Sequence, residues 1–165
     1  MPIERLPAGN PAFIRARLAE DDEDVVAAAC ARAATLVMRE VHDDIMALAT
    51  SESVKVRLAV VRALRRLWND SDFETVFGLY RSDPEEMVRD EAAWVLRETA
   101  SMRTWSRLFD LWCRDAHPRH RVWACEIAQR FGSRDELPAL RRMLDDHDGL
   151  VRAAAVPAVR RFEGR

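Results

Sequence analysis

The chain has 165 residues, enough for one compact domain or about five helical pairs, and 48% of them are apolar, so a continuous core can form. Its 26 Lys and Arg stand against 28 Asp and Glu, a formal net charge of −2, which leaves no overall field to gather nucleic acid or an anionic membrane. No apolar run reaches the ~18–20 residues that span a bilayer.

The first ten residues hold Pro2, Pro7, Glu4 and Arg5 and lack the apolar stretch of a secretory signal. Beyond them one pattern repeats. Val56-Arg57, Val88-Arg89, His120-Arg121 and Val151-Arg152 place arginines 32, 32 and 31 residues apart, and Val25-Val26 opens a fainter first copy. A period in the range of about 20–50 residues is the signature of a solenoid. Counting from the arginine position, three residues on stand Ala29, Val60, Ala92, Ala124 and Ala155. Seven on stand Ala33, Leu64, Leu96, Ala128 and Val159. Ten on stand Leu36, Leu67, Thr99, Phe131 and Phe162. Offsets of three, seven and ten share one face of an α-helix, here called the second helix of each copy.

A first amphipathic helix precedes each of these, and the copies fall at about 8–37, 38–69, 70–101, 102–132 and 133–163. Phe13-Ile14 marks it in copy one. Ile45-Met46 with Leu48 marks copy two, Val76-Phe77 with Tyr80 copy three, Leu108-Phe109 with Trp112 copy four, and Leu140 with Met143 and Leu144 copy five. Ser71 with Glu74 and Ser133 with Glu136 have the spacing of capping boxes. In copy three Asp83 reads as the N-cap of the second helix, with Pro84 in its first position and Glu86 in its first turn. Pro157 falls inside the last helix, where it removes a backbone bond and predicts a kink. The linkers are short and polar, so a single domain over 1–165 is expected.

The stretch Leu144-Asp145-Asp146-His147-Asp148-Gly149-Leu150-Val151-Arg152-Ala153-Ala154-Ala155 resembles a HEAT repeat, most of all the short HEAT-like kind named after phycobilisome lyase subunits. The resemblance implies an all-α, right-handed superhelical solenoid of about five HEAT-like helix pairs. Asp83, Asp115 and Asp146 each lie six residues before Arg89, Arg121 and Arg152. HEAT repeats use that aspartate and arginine in a hydrogen-bonded ladder between neighbouring repeats, so these residues and Arg57 are expected to be structural. Copy two has Ser51 in the acid position. Copy one has Glu20 and Val26, and should lack a ladder pair.

In HEAT solenoids the second helix lines the concave face, and its offsets one, two, five and nine are not needed by the core. Trp94 and Trp123 fall at such offsets in adjacent copies. Large exposed aromatics beside charges mark protein-binding hot spots. The expected partner-binding surface is therefore Trp94 and Trp123 with Asp90, Glu91, Glu126 and Arg62, while Trp112, at a core offset, is structural. Cys113, His117 and His120 are metal-ligand types at close spacing, but no second pair completes a zinc set, so no metal is expected. Cys30, Cys113 and Cys125 form an odd, scattered set that suits a reducing, cytoplasmic setting without disulfides.

No glycine-rich phosphate loop or nucleophile elbow is present, and no catalytic residue or cofactor is expected. The favoured function is a non-enzymatic protein-interaction module, an adaptor, assembly factor or immunity-type binder whose partner is another protein or peptide. Two alternatives stand beside it. Arg57, Arg62, Arg65 and Arg66 form a basic stretch that fits a nucleic-acid binding or repair protein of the HEAT-like glycosylase type. The repeat itself fits a phycobilin lyase-like subunit.

Overall fold

The computed structural model describes residues 9–164; residues 1–8, which carry most of the reading of the chain's start, and Arg165 lie outside them. Every element among the described residues is helical, and the fold is an all-α solenoid. The chain divides into two compact units, Met1–Thr99 and Ala100–Arg165.

The first unit holds three helix pairs. They are α1 (Pro11–Leu18) with α2 (Glu23–Leu36), α3 (His42–Met46) with α4 (Val54–Leu67), and α5 (Phe73–Ser82) with α6 (Glu86–Thr99). The longer second helices stack on one another, α2 on α4 and α4 on α6. Their shared faces carry the core: Ala33, Val60, Leu64, Ala92 and Leu96 are all fully buried. Small residues at the first of these offsets let the helix axes approach, and the apolar faces supply the burial that stabilises helices too short to persist alone. Leu36, at the last core offset of copy one, is 42% exposed instead. It lies at the very end of α2, one residue before Val37 turns the chain with a positive φ of 54°.

The second unit holds two pairs, α7 (Trp105–Trp112) with α8 (Pro118–Phe131), and α9 (Leu137–Met143) with α10 (Gly149–Glu163); α8 and α10 stack. Helix α10 runs without interruption through Pro157, whose side chain lies on an exposed face.

Polar side chains set most helix starts. Asn10, Asp22, Ser53 and Asp148 accept bonds from the first-turn amides of α1, α2, α4 and α10. His117 does the same for α8, its Nδ1 accepting from Arg119 N at 3.2 Å, with Pro118 in the first helical position. Ser133 and Glu136 form a reciprocal capping box. The box before α5 differs from the expected Ser71–Glu74. A 3-10 turn, Asp70–Asp72, precedes the helix, so the box forms two residues earlier between Asn69 and Asp72. Asp83 also departs from its expected place. Helix α6 begins at Glu86, and the Asp83 side chain binds Glu85 N at 2.9 Å within the turn before it.

Candidate functional site: an inter-repeat ladder and an interaction surface

The ladder arginines share one geometry. In each, Nη1 donates to two main-chain carbonyls at the turn of its own repeat. Arg57 reaches Ser51 and Glu52, Arg89 reaches Asp83 and Pro84, Arg121 reaches Asp115 and Ala116, and Arg152 reaches Asp146 and His147. The residue six positions earlier therefore contributes its carbonyl, not its side chain. In Arg57 and Arg121 the remaining edge of the guanidinium meets the next repeat of the same unit. Arg57 grips Asp83 through Nε and Nη2 at 2.7 and 3.0 Å, and Arg121 grips Asp146 at 2.8 and 2.9 Å. Both arginines are buried, and a bidentate charge-assisted pair offsets the cost of burying them. Burial works to raise the Asp83 carboxyl, but Arg57 and Glu85 N hold it below its usual range. Arg121 and the Asp148 amide do the same for Asp146 against its burial.

This pairing explains the irregular start. An arginine of one repeat takes the aspartate of the following one, so Val26 in copy one and Ser51 in copy two are the two halves of a single missing rung. Exposed contacts stand in its place: Lys55 reaches Glu23 at 3.0 Å and Asp24 at 2.9 Å, and Ser53 Oγ donates to Glu23.

The expected partner-binding residues separate into two environments. In the first unit Arg62 and Glu91 meet each other across α4 and α6 at 3.1 Å. Trp94 is half-buried, with the Arg65 and Arg97 guanidinium carbons 5.9 and 5.4 Å from its ring centre. Arg65 also binds Glu98 at 2.9 Å. Asp90 is half-buried on the same helix. Beside Arg62 a groove of about 360 Å³ opens between α2 and α4, floored by Ala27, Ala31, Leu58 and Ala59 and edged by Lys55. The groove was missed by the sequence reading. Its signal was the run of alanines at offsets one, two and five of copy one, where small side chains leave space.

In the second unit Trp123 is buried, 5% exposed, and does not present the open face expected of its offset. It lies one helical turn from His120, and the two rings pack 5.2 Å apart over Trp112, whose ring meets Trp123 edge-on at 5.6 Å. The Arg119 guanidinium covers another side of Trp123 at 5.2 Å. The indole is therefore part of the seam between α7 and α8. Glu126, one turn further along α8, is half-buried.

The thiols are free, and burial pushes Cys30 up to about 11 and Cys125 to about 12, which keeps both neutral. Cys113 is also raised by burial. His117 is spent on its cap, and His120 lies against Asp115, with Nδ1 to Oδ2 at 3.2 Å. No group of three or more metal-ligating side chains occurs among the described residues, and no helix among them is long and apolar enough to cross a membrane.

Comparisons with known proteins agree with this architecture. A family model for HEAT repeats matches residues 11–97 and again 73–160. No curated protein matches the chain in sequence. Among solved structures, the complex of CpcE and CpcF of phycocyanin lyase from Nostoc sp. PCC7120 is similar in fold. Its TM-score is 0.69 at 19% identity, over 100% of this chain and 69% of the other. The repeated helix pairs, the arginine–aspartate rungs between them and the family match over nearly the whole length identify the chain as a member of the HEAT-repeat family.

Proposed function

We propose that this protein is a non-enzymatic interaction module that holds a peptide or loop of another protein along the surface of α2, α4 and α6, centred on Trp94. The observation that carries the reading is the half-buried Trp94 ring between Arg65 and Arg97, close in the fold to the Arg62–Glu91 pair and the alanine-floored groove. An indole edged by guanidinium groups and carboxylates offers apolar area together with directional polar contacts, the composition of a hot spot and its rim. The similar solved structure is itself a complex of two proteins, which favours a protein as the ligand.

The basic stretch of copy two does not favour nucleic acid. Arg57 is buried in its rung, while Arg62 and Arg65 are engaged with Glu91 and Glu98. Of the four, only Arg66 keeps the open, uncompensated character that a phosphate-binding stripe needs.

Trp94→Ala and Ala31→Arg test the surface independently, the first by removing the ring and the second by filling the groove. Proteins retained from native cytosol by the wild-type chain are expected to fall at least tenfold with either variant, while helicity and melting temperature stay near wild type. Trp123→Ala is the contrast. It opens a cavity in the seam of α7 and α8 and is expected to cost about 3–5 kcal/mol of stability. Equal retention by wild type, Trp94→Ala and Ala31→Arg would refute the surface.

A further inference from the structure

We propose that the groove between α2 and α4 seats an amphipathic helix of another protein, one that carries an apolar stripe beside a stripe of carboxylates. This deepens the reading of the Trp94 surface and rests on it, since it names the chemistry of the segment that lies there.

The groove, about 360 Å³ in volume, has two unlike sides. Along α2 it is walled by Ala27, Ala31 and Ala34, which share one stripe of that helix, while Leu58 and Ala63 of α4 close its floor. The α4 side is basic. Lys55, Ala59, Arg62 and Arg66 follow one stripe of α4, and all three cations are exposed. Lys55 is held at its end of the row by Glu23 and Asp24. Arg62 spends only its Nε, on Glu91 at 3.1 Å, so both Nη groups remain as donors on a residue that lines the groove. Arg66 makes no ion pair among the described residues. The cations left unspent call for carboxylates, and the apolar wall and floor call for an apolar stripe beside them.

The spacing of the row selects a helix. Arg62 and Arg66 lie seven and eleven residues beyond Lys55, a rise of about 10 and 16 Å along α4. A helix laid alongside repeats those intervals on one of its own faces at the same residue spacing. An extended segment returns to one face only every ~7 Å and falls out of step with the row. The small side chains on α2 let the axis of such a helix approach closely. Its carboxylates then meet Arg62 and Arg66, whose planar forks can each take one on two parallel bonds.

Two labelled, stapled helical peptides serve as probes. They carry glutamates at the spacing of Lys55, Arg62 and Arg66, read in either chain direction, and leucines along the adjacent stripe. One of them is expected to bind the full chain in fluorescence anisotropy, and a peptide with the same glutamates scattered around the helix should bind about tenfold more weakly. Arg62→Glu and Arg66→Glu should each weaken binding about tenfold, and lysine in place of the facing glutamate should restore it. Arg66→Glu changes an exposed residue without an ion pair among the described residues, so it is expected to melt as the wild type does and keeps the test valid if Arg62→Glu unfolds. Failure of both peptides to bind, or binding indifferent to both reversals, would overturn the proposal. Equal displacement by single-stranded DNA would mark a general polyanion site and overturn it too, as would self-association of the wild-type chain abolished by Arg66→Glu, which puts a second copy in the groove. The two readings fail differently. Retention from native cytosol that falls with Trp94→Ala but with neither reversal leaves the Trp94 surface standing and removes the acidic helix; retention untouched by Trp94→Ala and Ala31→Arg removes the surface itself.

Discussion

Two histidines in equivalent-looking surroundings are driven in opposite directions. Burial disfavours the charged form of His42, but Asp72 and Asp43, each 2.9 Å from a ring nitrogen, outweigh it and raise its pKa above the usual 6.5. Burial dominates at His120 and lowers its pKa despite Asp115. The raised group stabilises the fold fully below its unfolded pKa, and that contribution is lost as pH rises through the folded value. The lowered group stabilises above its unfolded pKa, and its contribution is lost as pH falls through the folded value. Proton NMR titration is expected to place the His42 midpoint above 6.5 and that of His120 below it; the reverse order would contradict the contacts described. His42→Ala, which removes a charge-assisted link between the second and third repeats, should cost about 1.5–3 kcal/mol at pH 6 and less at pH 8. His42 did not stand out in the sequence, because its partner Asp72 lies 30 residues away.

At the scale of the helix, the end of α2 carries a cost. Val37 adopts φ 54° and ψ 45°, where the chain closes back with Met38 N bonded to Ala33 O at 2.9 Å. A β-branched residue there costs on the order of 1–2 kcal/mol, and glycine is the usual occupant of this position. Val37 is 42% exposed, so little packing is lost with its side chain. Val37→Gly is expected to raise stability by about 0.5–1 kcal/mol, after allowing for the greater freedom of glycine in the unfolded chain. A lower melting temperature would mean that the valine side chain contributes packing that outweighs its strained backbone. Helix α8 teaches the complementary lesson. Its offset two is open in copy one, where Ala28 is exposed, but closed in copy four, because Trp112 and His120 build a platform on which Trp123 lies. Periodicity names the face of a helix; the size of its neighbours decides whether that face sees water.

Across the molecule the rungs are local ties. In repeat proteins each unit contacts its neighbours alone, so stability is close to a sum of repeat and interface terms. Arg57→Ala leaves the buried Asp83 carboxylate without its partner and should cost about 3–5 kcal/mol, and Arg121→Ala, which strands the half-buried Asp146, should cost somewhat less. The loss should be localised. Hydrogen exchange is expected to quicken in α4 and α6 for Arg57→Ala and in α8 and α10 for Arg121→Ala, with the other unit keeping its protection. Uniform loss of protection in both variants would show cooperativity that nearest-neighbour contacts do not provide.

The sequence alone determined the HEAT-type repeat, the all-α solenoid and the buried rows at Ala92, Leu96, Ala124 and Ala128, because a 3.6-residue helix repeated every 31 or 32 residues leaves that pattern in any single copy. Tertiary structure decided what each arginine grips. The ladder between neighbouring repeats was expected, but only the fold shows that Arg57 takes Asp83 and Arg121 takes Asp146 of the following repeat, while the residue six positions earlier supplies a carbonyl. It also decided that Trp123 is buried while Trp94 keeps part of its ring open, and that alanines on α2 leave a groove against α4. These outcomes depend on distances between side chains of different repeats, which spacing along one helix does not encode.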